Sequence, residues 1–325
     1  MKSLGLGRYA LSSWVGAALL AGCGALRQAQ DDTQPPIGAP GAMPQSRAIA
    51  ARAEHGKSWM LSEAKSENLI YVAGVYNVFI FNVRGKEVGS IDFLADPGVC
   101  SDANGNVWVT SGGATEYSHG STTPIRQLNP PYTYQFVSCS VDPLNGDIAL
   151  TMSRADNTGG VAVFQKASGA PQIYTDPDFR YYVYCTYDSS GDLFVNGLFG
   201  KKPVILGELP ARGSSLVTIA LNSSIEGLGG LQWDGQYLAL GDRRRLTVYQ
   251  VDVSSGEGTI VGSTHFTGWR EGGVDFWINR SKIGFVAYRH FFGIWEYPIG
   301  GHTVVRFPFH YATPGGTAFS IAPQH

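Results

Sequence analysis

The chain has 325 residues, with 42 Gly, 17 Pro and only 15% charged residues; this balance suits short buried strands joined by tight turns and excludes a bundle of long solvated helices. With 43% hydrophobic residues it can bury a sizeable core, and length alone admits one domain or two. The formal net charge is −2, or −4 without Lys2 and Arg8, so there is no global attraction to nucleic acid and none is expected as a partner.

Residues 1–22 have the layout of an export signal: Lys2 and Arg8 make a basic start, and residues 9–20 are mostly apolar. That run is shorter than the ~20 residues a membrane-spanning helix needs. Leu20-Ala21-Gly22-Cys23 resembles the bacterial lipobox. The resemblance implies cleavage before Cys23, lipidation of its thiol and amine with palmitate-like chains, and a cell-envelope protein held to a membrane by that anchor. Gly24, where an Asp would retain the protein at the inner membrane, admits an outer-membrane or cell-surface location. Each acyl chain contributes ~0.8 kcal/mol per buried methylene, so a multiply acylated Cys holds firmly. Residues 23–57, with Pro35-Pro36 and the Gly/Pro-rich stretch 38–44, read as a flexible tether.

From residue 58 to 325 one strand–turn–strand phrase returns. Its turns centre on Glu67, Gly105, Gly146, Gly191, Gly235 and Ser281, at steps of 38 to 46 residues. A period of ~40–45 residues is that of a four-stranded propeller blade. The strand after each turn is apolar on both alternating faces, as in Val107, Trp108 and Val109, which suits sheets packed face to face. The expected fold is all-β: a six-bladed propeller of four-stranded blades, preceded by the lipoprotein signal and tether. Residues 313–321 read as an innermost strand that completes the first blade beside residues 59–62.

Residues 97–109, Pro-Gly-Val-Cys-Ser-Asp-Ala-Asn-Gly-Asn-Val-Trp-Val, are similar to the NHL-type repeat. The repeats thus resemble the propeller superfamily of NHL proteins and gluconolactonase-like enzymes, and with the lipobox and tether the chain looks like a class of uncharacterised bacterial lipoproteins. The resemblance speaks for fold more than for function. The lactonase branch carries a metal-binding Glu in a Glu-Gly-Pro-x-Trp phrase and an Asn in Pro-Asn-Gly. Here Glu63 lacks the Gly-Pro and Trp, and Asp96-Pro97-Gly98 answers the second phrase. A metal-dependent lactonase or hydrolase in the central channel is therefore the alternative reading.

No zinc spacing, phosphate loop or catalytic motif occurs, so no catalytic residue, metal ligand or cofactor is expected. Asp102, Asp142, Asp188 and Asp234 recur once per blade and read as turn formers. Cys139 and Cys185 lie three residues before the turn Asp and Cys100 two before, so Cys100 points to the opposite sheet face. The three read as buried small hydrophobes, with a disulfide between two of them left open for an exported protein.

Loops between second and third strands, and loops between blades, collect basic and aromatic residues on one face. Arg244, Arg245, Trp269, Arg270, Arg289, Phe292 and Tyr182 are the candidate ligand-binding residues there. Arg pairs bidentately with carboxylate or phosphate, and aromatic rings offer stacking. The expected function is a non-enzymatic, membrane-anchored binding module for an anionic glycan or an envelope protein.

Overall fold

The computed structural model describes residues 57–323, apart from residues 75, 94–97, 130–134, 154–158, 200–202, 269–272, 288–290 and 309–314. The expected signal, Cys23 and residues 24–56 of the expected tether lie outside the described residues. Five four-stranded antiparallel sheets and one five-stranded sheet form six blades. From blade one to blade six the innermost strands are Gly316–Ser320, Val99–Ser101, Gln135–Val141, Tyr181–Tyr187, Leu228–Trp233 and Gly273–Asn279. Each packs against the next, and Gly316–Ser320 packs against both Gly273–Asn279 and Val99–Ser101, which closes the ring.

The core is correspondingly divided. Six clusters of buried side chains each combine residues of two neighbouring blades. Between blades five and six, for example, Ala239 and Val248 meet Phe276, Phe285 and Trp295. Strands apolar on both faces are what this division requires, because every sheet is covered on two sides. Fully burying one such large side chain contributes ~2–3 kcal/mol.

Closure joins the two ends of the chain. Gly316–Ser320 pairs antiparallel with Leu69–Ala73, from Leu69 opposite Ser320 to Ala73 opposite Gly316. Residues 59–62 are not its neighbours, contrary to the sequence expectation: Trp59–Met60 lies on the outer edge of that sheet, paired with Glu87–Asp92. The reason is the order of the blade, since Leu69–Ala73 is the first strand after the 3-10 turn Ser62–Lys65 with both faces buried. Side chains reinforce the seam. Ser101 Oγ donates to Phe319 O at 2.7 Å, Thr317 Oγ1 to Tyr71 O at 3.1 Å, and the His119 ring bridges Ser320 Oγ and Glu67 O.

The repeated Asp residues build the hairpins. Asp102 Oδ1 accepts from Asn104 N and Asn106 N, Asp188 Oδ1 from Ser190 N and Asp192 N, and Asp234 Oδ1 from Gln236 N and Tyr237 N, at 2.7–2.9 Å. Gly105, Gly146, Gly191 and Gly235 follow with φ of 77° to 104°, a conformation open to Gly at little cost.

The cysteines depart from expectation. Cys100 and Cys139 form a disulfide between the inner strands of blades two and three, with Cα atoms 5.6 Å apart. Opposite alternation is what allows it: Cys100 projects from blade two toward blade three, and Cys139 projects back. Cys185 remains a buried free thiol, directed at Ala149 O of blade three. The position in blade three that matches Cys100, two before the turn Asp, is Ser140, whose Oγ accepts Tyr187 N at 3.0 Å. Ser140 and Cys185 thus repeat the Cys100–Cys139 relation one blade further on. Ser140→Cys is expected to give a second inter-blade disulfide with Cys185. Thiol titration of the denatured, air-oxidised variant should then find no free thiol among residues 57–325, whereas two would contradict the equivalence.

Candidate functional site

The inner strands end at their hairpins around one mouth of the central channel. A cavity of about 590 Å³ opens there. Its outer ring is formed by Ser101, Val141, Tyr187, Trp233 and Asn279, each just before a hairpin, and by Ile321, just after the closing strand. Two residues deeper along alternating strands come Val99, Cys139, Cys185, Leu231, Trp277 and Phe319. Asp102, Asp142 and Asp188 stand at the rim, and Asp275 lies deepest.

Trp277 reaches across the channel. Anchored on blade six, it packs against the clusters between blades one and two, two and three, and six and one. A side chain from blade six that touches the far side of the ring must cross the axis. The indole therefore forms part of the cavity floor.

Asp275 is half-buried by area because it borders the cavity, yet protein surrounds it on every other side. Its Oδ1 accepts from Phe276 N at 2.8 Å, and the Thr317 backbone also donates to the carboxylate, joining blade six to the closing strand. Gly230 and Gly316 leave it room: a Cβ at Gly230 would lie 2.7 Å from Oδ1, and one at Gly316 3.3 Å from Oδ2. Burial pushes the Asp275 carboxyl up to about 7, against the backbone donors that lower it. Burial likewise raises Asp142, helped by the nearby Asp147 charge.

Most hydroxyls and amides lining the cavity already have partners. Gln232 is bound on both amide atoms by the Ile278 backbone, Thr186 Oγ1 accepts Trp233 N, and Ser101 is used in the seam. The turn Asp residues each direct Oδ1 into their own hairpin. Asp102 Oδ2 also accepts from Asn106 Nδ2 at 3.1 Å and Asp234 Oδ2 from the Tyr297 hydroxyl at 2.7 Å, so Asp188 Oδ2 and the aromatic faces carry the unused capacity. Among the described lining residues there is no Lys, Arg or His. Among the described residues as a whole, no group of three or more His, Cys, Asp or Glu is placed to hold a metal ion.

The residues singled out by sequence fall elsewhere. Arg244 and Arg245 are exposed in the turn after Leu238–Asp242, at the opposite end of the blade from the cavity mouth. Arg244 pairs with Glu226 at 3.5 Å and Arg245 with Asp242 at 3.8 Å, and the Tyr249 hydroxyl and Asp242 hold the Arg245 guanidinium above its usual value. Phe292 is not a loop residue but lies within the strand Phe291–Glu296, fully buried and tilted against Phe307. Tyr182 is 2% exposed, stacked on Phe179, with its hydroxyl donating to Asp176 O and accepting from Asp176 N. Neither ring is available to stack on a ligand at the loop face, because the strands run further than their sequence signal. Trp269, Arg270 and Arg289 lie outside the described residues. Reading the sequence by loop charge missed Trp233, Asp275 and Trp277; aligning the inner strands on their hairpins would have placed all three along the channel.

The raised Asp275 pKa has a stability consequence. Its ordinary value is about 3.9 and its folded value about 7, so the folded chain binds the proton more tightly. The contribution is fully present below about pH 4 and is lost as pH rises through about 7. Urea unfolding at about pH 5 and about pH 8 should show Asp275→Asn losing on the order of 2–3 kcal/mol less than the parent over that interval. Equal losses would contradict the buried carboxyl.

No family model matches the chain, and no curated protein matches it. Solved structures do. A propeller from the nidogen/laminin complex superposes with a TM-score of 0.63 at 12% identity, covering 79% of this chain and all (100%) of that one. A Bacteroides caccae protein of unknown function superposes with a TM-score of 0.60 at 11% identity, covering 78% of this chain and 99% of that one. At these identities the likeness shows the six-bladed propeller fold and nothing about what is bound.

Proposed function

We propose that the chain is an exported, lipid-anchored binding module, an NHL-like propeller whose ligand site is the cavity at the hairpin mouth. The cavity itself carries this reading: about 590 Å³ falls within the ~300–1,000 Å³ typical of small-ligand sites, and it is bounded by aromatic walls and a few convergent polar groups. Export is supported by Leu20-Ala21-Gly22-Cys23 and by the Cys100–Cys139 disulfide, since such bonds persist in oxidising compartments. A tether of residues 23–57 would let the propeller reach ligands away from the membrane surface.

The loop face supports a second, weaker reading as a docking surface for an anionic glycan or an acidic envelope protein. Its observation is that the Arg244 and Arg245 side chains are about two-thirds exposed (65% and 67%). Their pairing with Glu226 and Asp242, and the burial of Phe292 and Tyr182, reduce what that face offers.

Val141 sits in the outer ring of the cavity, half-buried with one side on the cluster between blades two and three, so Val141→Trp should fill the mouth. A thermal-shift screen of amines, sugars and amino acids against the full mature chain should find ligands that raise Tm. Val141→Trp should weaken them by at least about tenfold while its own Tm moves by less than about 4 °C. Undiminished binding by a folded Val141→Trp would place the site elsewhere.

A further inference from the structure

We infer that the cavity's ligand is a small organic cation, an amine or quaternary ammonium compound, held between the deep Asp275 carboxylate and the aromatic floor. The inference rests on the cavity reading above and specifies its chemistry.

Shape and aromatic surface come first. Trp277 crosses the axis and offers an indole to whatever enters, while Trp233 and Tyr187 stand in the ring above it. Aromatic faces attract cations through the ring quadrupole, most strongly where the pair is desolvated. A neutral sugar could also stack here, but it would leave the charge of the lining uncompensated.

That charge is the second line. Asp102, Asp142 and Asp188 contribute carboxylates from three successive blades, Asp275 adds a fourth at depth, and no described lining residue is cationic. A concave site of one sign concentrates counter-charge and repels an anion. The turn bonds do not neutralise the rim, because backbone N–H groups bind one oxygen and leave the formal charge. Among the described residues, the other titratable groups that Asp275 acts on are Tyr184 and Cys185, both raised chiefly by burial and further by its charge; Arg243 acts on Tyr184 in the opposite sense. Asp275 is thus a carboxylate that burial holds partly protonated, and a bound cation would favour its ionised form.

The two lines make a joint prediction about pH. Cation binding should strengthen as pH rises through about 7, where Asp275 ionises, and a neutral ligand should not follow that curve.

Choline and its uncharged carbon isostere, 3,3-dimethylbutan-1-ol, separate charge from shape. Isothermal titration of the full mature chain at about pH 8 should give choline at least about tenfold the affinity of the isostere. Choline affinity should fall several-fold at about pH 6, and Asp275→Asn should remove both the preference and the pH dependence. Asp188→Asn, which keeps the Oδ1 acceptor of its hairpin, gives a second variant with an intact turn and should weaken choline by a smaller factor. Equal affinity for the two probes, or a preference unmoved by both substitutions, overturns the cation assignment. If the isostere or a sugar then still binds and Val141→Trp removes it, the cavity reading stands without the cation. If no screened compound depends on Val141, both fall.

Discussion

The pairing of Gly316–Ser320 with Leu69–Ala73 is the contact on which the rest of the molecule depends. It joins strands from opposite ends of the propeller, so it is made against the entropy of closing a very long loop, although that cost grows only slowly with length. Without it, Leu69–Ala73 would present an unpaired edge to the channel, and blades one, two and six would lose a shared wall. Ser101 and His119 hold the seam from blade two, the Asp275 carboxylate accepts from the Thr317 backbone from blade six, and Thr317 bonds Tyr71 within blade one.

Closing the ring also makes the cavity. Trp277 becomes a floor only because blades one to three stand opposite its anchor. Asp275 is buried only because the closing strand brings Thr317 and Gly316 against it. The turn Asp residues acquire a second consequence in the same way. Each serves its own hairpin, yet ring geometry sets Asp102, Asp142 and Asp188 around one mouth. A carboxylate chosen for turn geometry thereby becomes part of an electrostatic field.

Much of this was legible in the sequence, for physical reasons that also mark the limit. Turn chemistry is local, so Asp188 and Gly191 announced their hairpin, and a regular interval announced the blade. Alternation correctly set Cys100 and Cys139 on opposite faces, but whether opposite faces of neighbouring blades meet is a property of the ring. Phe292 and Tyr182 looked like loop aromatics because strand ends leave a weak signal, and both proved to be core. Trp277 and Asp275 gave no local sign, since an inner strand's channel-facing side exists only once six of them surround an axis. Charge density drew attention to Arg244 and Arg245, where Glu226 and Asp242, distant or adjacent in sequence, partly balance it.

The central claim is that ligand recognition happens in the cavity at the hairpin mouth and not on the Arg-bearing face. A crystal structure of the mature chain grown with choline tests it most directly. The account predicts the ammonium group within the cavity, over the Trp277 indole and on the Asp275 side of the outer ring. Choline density confined to the opposite face, beside Arg244 or Arg245, with an empty cavity, would contradict it.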